Sequence, residues 1–169
     1  MRRFALSLAL VLLLTGLVAG SAAAKLSPVE QTWVKPMITI YNAMAANLGV
    51  VVDEEKASDA LIAGSGKNND LLTYTLSVFV SCPSEVKTVG EPPSVRLQAF
   101  YTDMVAACAA LAGGGTDAGH AIGAIGKGKG ALARSDLVAS TSELSKGSKL
   151  LAAAEKQLAI VGGKNIFEA

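Results

Sequence analysis

Any Ser-His-Asp or Cys-His catalysis in this sequence would have to run through His120, its one histidine, because both schemes need an imidazole to take up and return a proton. His120 sits among Gly119, Gly123 and Gly126, where a solvated or capping ring is the simpler account. A helical bundle can also hold haem iron between one His and one Met, and Met37, Met44 and Met104 are available for that role. Trp33, Tyr101, Met104 and His120 are therefore the weak candidates for a ligand pocket. Covalent c-type haem is excluded, since no C-x-x-C-H occurs. Aromatic side chains at these positions are also what a packed core needs, so no cofactor is expected.

The run Gly123-Ala124-Ile125-Gly126-Lys127-Gly128-Lys129-Gly130 matches the first part of a phosphate-binding loop. Gly130, however, stands where Ser or Thr must ligate magnesium, and no apolar strand precedes the run. A flexible joint explains it better than nucleotide binding, leaving at most a weak anion contact through Lys127 and Lys129. Acid and base work by paired carboxylates has little to draw on. Glu54, Glu55 and Asp59 cluster where a helix start would place them, and Asp103 and Glu143 are isolated. No catalytic set emerges, so an enzyme is disfavoured and a hydrolase is the weakest of the functional readings.

Cys82 and Cys108 are the two cysteines of the chain, and their context decides what they do. Met1-Arg2-Arg3 is a short cationic start, Phe4 to Gly20 an apolar run, and Ser21-Ala22-Ala23-Ala24 a set of small residues. This is the pattern of a secretory leader cleaved before Lys25. The alternative is an uncleaved anchor, since the apolar run is only slightly short of the ~20 residues that span a bilayer. Cleavage makes the protein secreted or periplasmic, where an even set of cysteines oxidises. A Cys82–Cys108 disulfide is then favoured over two unpaired buried thiols. The spacing fits no metal-ligand pattern, and no metal is expected.

The formal net charge is +1, and two of the basic residues leave with the leader, so what remains is close to neutral. That removes the electrostatic footprint of a nucleic-acid binder, and an exported chain does not meet nucleotides. Residues 25–169 have the length of one domain with one core. Aromatic residues make up only 5% of the chain, and abundant alanine suits closely packed helices better than a sandwich of sheets.

The elements follow from caps and periodicity. Ser27-Pro28-Val29-Glu30 reads as a capping box with proline at the first helical position, opening a helix whose stripe is Val29, Trp33, Met37, Ile40, Tyr41, Met44 and Leu48. Pro36 should bend it, and Gly49 should end it. Asp53-Glu54-Glu55 then reads as the start of a short helix ending at Gly64. Leu72 to Cys82 alternates like a strand, yet Leu72, Leu76 and Phe79 also share a helical face, and an isolated strand would lack a partner. Helix is the reading adopted. Pro83 to Ser94 contains three prolines and reads as an extended linker.

Pro93 opens the next helix, with Leu97, Phe100, Met104, Cys108 and Leu111 on one face, and Gly113-Gly114-Gly115 should stop it. Thr116-Asp117 could cap a further short helix. From Ser135 the leucines 137, 144, 151 and 158 recur every seven residues, with Ala133, Ser140, Gly147, Ala154 and Val161 in the interleaved row. That pattern is the seam of a long helix packed close to a neighbour. The expected fold is all-α: an antiparallel bundle of four main helices plus short ones. Because Cys82 falls at the end of its segment and Cys108 lies deep in the next helix, bonding them requires residues 83–93 to form a long crossover linker and the two helices to run parallel.

The expected function is that of an exported, non-enzymatic protein acting by binding a protein, a lipid or a cell-envelope component. The alternative is a small-molecule or haem carrier using the pocket candidates named above.

Overall fold

The computed structural model describes residues 25–55 and 69–162, and among them four helices pack into an up-down-up-down bundle. They are α1 (Pro28–Glu55), α2 (Asn69–Val89), α3 (Gln98–Gly126) and α4 (Gly130–Gly162), with a 3₁₀ turn at Val95–Leu97 leading into α3. Among the described residues there is no strand. The all-α bundle read from the sequence is therefore the fold.

The α1 start forms as the capping box requires. The Ser27 backbone N–H donates to Glu30 Oε2 at 2.7 Å, and the Glu30 N–H donates to Ser27 Oγ at 3.3 Å. Two expectations fail further along. Gly49 does not end α1, which continues through Asp53 to Glu55; the start expected for a second helix is the tail of the first. The cost of a helical glycine, about 1 kcal/mol relative to alanine, is too small to stop a helix whose Met37, Ile40 and Met44 are anchored in the core. The remainder of that expected short helix, Ala57 to Gly64, lies outside the described residues.

Helical periodicity prevails in α2. Leu76, Phe79, Cys82 and Val86 are buried at steps of three and four, whereas Tyr74 and Val80, which alternation would have placed on the same side as Leu76, are 64% and 51% exposed. Pro83 lies inside the helix, on its exposed side. An interior proline lacks one ladder hydrogen bond, and here the chain absorbs that loss and runs on to Val89. Gly90 closes the helix with a positive φ of 81° and an N–H donated to Val86 O, the αL cap glycine supplies most readily.

The long crossover linker is consequently absent. Only Gly90–Ser94 separates α2 from the 3₁₀ turn, and the two helices form an antiparallel hairpin. Cys82 bonds Cys108, with Cα atoms 5.1 Å apart, while Gly115 packs against Leu76 O and Phe79. Rising numbers on α3 thus meet falling numbers on α2. A parallel arrangement follows only if the helix ends at Pro83. With the end at Val89 instead, both cysteines lie roughly 10–15 Å from the turn at 1.5 Å per residue, and a tight hairpin brings them together.

Gly113-Gly114-Gly115 does not stop α3, nor do Thr116 and Asp117 start a new helix. Gly114 and Gly115 are buried at two contacts. A Cβ on Gly114 would lie 2.7 Å from Leu144 Cγ on α4, and one on Gly115 would lie 3.2 Å from Leu76 O on α2. The triplet is where two neighbours come closest, and that packing outweighs its poor propensity. The α3–α4 turn, by contrast, falls at the expected glycine joint: Gly128 has φ 67°, Lys129 N–H donates to Ala124 O and Gly128 N–H to Ile125 O, a Schellman motif.

On α4 the heptad rows hold. Leu144, Leu151 and Leu158 are buried together with Ala133, Ser140, Gly147 and Ala154, and Leu137 and Val161 are half-buried at the ends. The core is continuous from Leu26 and Val34 through Phe79, Phe100 and Met104 to Leu158.

Candidate functional site

One end of the bundle concentrates the unusual chemistry. The α1 start, the α2 end and the connection to α3 meet there, and two features result: a buried carboxylate clamp and an apolar groove.

Glu30 is only 5% exposed, so its charge needs partners. Arg96, in the 3₁₀ turn, donates through Nε to Glu30 Oε1 at 2.6 Å and through Nη2 to Glu30 Oε2, a two-pronged grip. Ser94 Oγ adds a 2.6 Å bond to Oε1. Arg96, then Ser94, then the Ser27 backbone N–H hold the Glu30 carboxyl far below the usual carboxylate range, and Glu30 in turn raises the guanidinium. Arg96 Nη2 also donates to the carbonyl of Lys25 at 3.2 Å, and Gln31 Nε2 donates to that of Leu26 at 2.8 Å. The capping box pointed to Glu30. Nothing in the sequence pointed to Ser94 or Arg96, which join it across more than sixty residues.

Beside the clamp, Trp33 stands edge-on to Phe100 and Tyr101, at centroid distances of 6.2 and 6.1 Å, and donates Nε1–H to Gly90 O at 3.1 Å. Val29, Thr32, Trp33, Pro36, Thr88, Val89 and Pro93 line an open groove of about 600 Å³ between α1 and α2. A smaller hollow of about 350 Å³ adjoins it at Pro36, Thr39, Ile40, Glu85 and Thr88. The polar groups along it are already engaged: Thr32, Thr39 and Thr88 donate to carbonyls of their own helices, and Glu85 accepts from Ser81. What the groove offers an incoming group is therefore apolar surface.

The four pocket candidates do not form one site. Trp33 and Tyr101 meet, both half-buried, but Met104 is fully buried in the core. His120 is exposed on α3, sixteen residues beyond Met104 and so roughly 24 Å along the helix. A His120–Met104 haem site has no geometry here. Gly123 to Gly126 form the last turn of α3, so the glycine-rich run makes no phosphate cradle. Among the described residues no three His, Cys, Asp or Glu side chains stand close enough to hold a metal ion, and no helix is long and apolar enough to cross a membrane. The cysteine pair is bonded as expected and wholly buried between α2 and α3. A further contact missed by sequence reading ties α1 to α4: Tyr41 O–H donates to Glu155 Oε2 at 2.8 Å, and burial together with that carboxylate pushes the phenol up to about 12.

Compared with known protein families, curated proteins and solved structures, the chain matches none.

Proposed function

We propose that this protein is an exported, non-enzymatic binding protein whose α1–α2 groove receives an apolar group of a protein, lipid or cell-envelope partner. The observation that supports this most is the groove beside Trp33: its walls are apolar, its hydroxyls are satisfied within their own helices, and Val29 on its rim is 66% exposed. An apolar partner would bury this surface at a gain of about 25 cal/mol per Å².

Trp33 is the only tryptophan, which makes its emission a reporter of the groove. Titration with vesicles and with extracts of the native cell envelope should blue-shift it, and Val29→Asp should abolish the shift while leaving the helical spectrum intact. A shift that Val29→Asp leaves unchanged would move binding elsewhere on the bundle. Export has its own readout: protein recovered from an exporting host should begin at Lys25. Retained Met1 to Ala24 would replace export with anchoring and leave the groove assay to stand alone.

A further inference from the structure

Lys25 is exposed, and exposed lysines are where lysine-directed proteases cut. Serine-type proteases attack the scissile carbonyl and stabilise its oxygen in an oxyanion hole, with the substrate backbone lying extended across the cleft. Both carbonyls flanking the Lys25–Leu26 bond, the Leu26 side chain and the Ser27 N–H are already committed. The Lys25 oxygen accepts from Arg96 Nη2, and the Leu26 oxygen accepts from Gln31 Nε2. The Leu26 side chain is buried with the core, and the Ser27 N–H is held by Glu30.

We propose that the Glu30–Arg96 clamp is a proteolytic stop, locking Lys25 to Ser27 into the bundle so that the peptide bond after Lys25 withstands proteases that would otherwise trim the folded domain. Glu30 is the keystone, because it holds Arg96 at the Lys25 carbonyl and Ser27 at the helix start together. Cleavage after Lys25 requires this corner to open, so its rate follows the population of the opened form. The stop is independent of what the groove binds. On the export reading it has one added consequence: a protease that must grip residues beyond Lys25 has to act before the clamp closes.

The test is native-state digestion of the full chain from Met1 with a lysine-specific endoprotease, followed by intact mass. The α3–α4 turn supplies an internal reference, because Lys127 and Lys129 are exposed and lie at a turn. Wild type should be cut there faster than after Lys25, by on the order of tenfold or more for a corner that opens rarely. Glu30→Gln and Arg96→Gln should each release a species beginning at Leu26 faster, with the rate at Lys127 and Lys129 unchanged. Two results would overturn the proposal: wild-type cleavage after Lys25 as fast as at the turn, or variants in which cutting accelerates equally at every lysine. If either variant fails to fold, Arg96→Lys, which keeps the charge but loses the two-pronged grip, takes its place, and an unchanged rate after Lys25 in a folded variant would also overturn the proposal.

Discussion

Leu144 lies over the bare backbone of Gly114, and Leu111 lies over that of Gly147. A Cβ on Gly114 would meet Leu144 Cγ at 2.7 Å, and one on Gly147 would meet Leu111 Cδ2 at 2.6 Å. Each helix of the α3–α4 pair thus gives the other a leucine and receives it on a glycine three residues further along its own sequence.

Gly114→Ala and Gly147→Ala should each destabilise the protein by about 1–3 kcal/mol through overpacking, despite the better helix propensity of alanine. Gly119→Ala provides the opposite sign. Its Cβ position is open, so propensity alone should stabilise by up to about 1 kcal/mol. Chemical denaturation of the three variants checks both directions at once.

Leu144→Ala and Leu151→Ala remove side chains only 5% and 3% exposed, and each should cost about 2–5 kcal/mol. Thermal melts that do not move would show the seam to be less packed than these burials imply.

Replacing Cys82 and Cys108 together by alanine should lower stability by about 3.5 kcal/mol on the loop-entropy account. Because the bond is fully buried, reductant should reach it in native protein only through opening of the bundle. Thiol labelling under native and denaturing conditions measures the difference.

Two acid–base groups should leave signatures of opposite direction. Glu30 is depressed when folded, so its contribution is fully present above the ordinary carboxyl value of about 4.5 and fades as pH falls toward the lower folded value. Glu30→Gln should therefore differ most from wild type near neutrality and least in strong acid. Tyr41 is raised to about 12 from 10.0, so what it contributes is complete below pH 10 and is lost as pH rises through about 12. The gap between wild type and Tyr41→Phe should close over that alkaline range.

What the sequence disclosed and concealed divides by range. The capping box at Ser27 and Glu30 and the leucine rows of α4 are patterns within one element, and both appear in the fold where they were read. The cysteine pair is legible from composition and context, although its topology is not, because a proline at position 83 reads as a helix boundary in sequence and lies inside α2 in the fold. Gly49, Pro83 and Gly113 to Gly115 share one lesson: a residue that disfavours helix locally is overridden when the residues around it are pinned by tertiary packing. The Glu30–Arg96 clamp and the Tyr41–Glu155 bond join residues 66 and 114 positions apart, and no periodicity encodes such meetings. Trp33 and Tyr101 meet edge-on in the fold, while His120 and Met104 share with them only the residue types that a ligand pocket would use.

The Leu–Gly exchange between α3 and α4 also fixes where one helix stands along the other. Two seven-residue rows would tolerate a slide by one repeat, since Leu137 or Leu151 could take the place of Leu144. The small row does not allow it. Sliding α4 by seven residues puts Ser140 or Ala154 where Gly147 now lies, and the Cβ of either would fall on Leu111, where that atom has no room. A single glycine in an otherwise repetitive row works like the one notch on a key blank that admits it at only one depth, and the bundle has one alignment because Gly147 has no counterpart at 140 or 154.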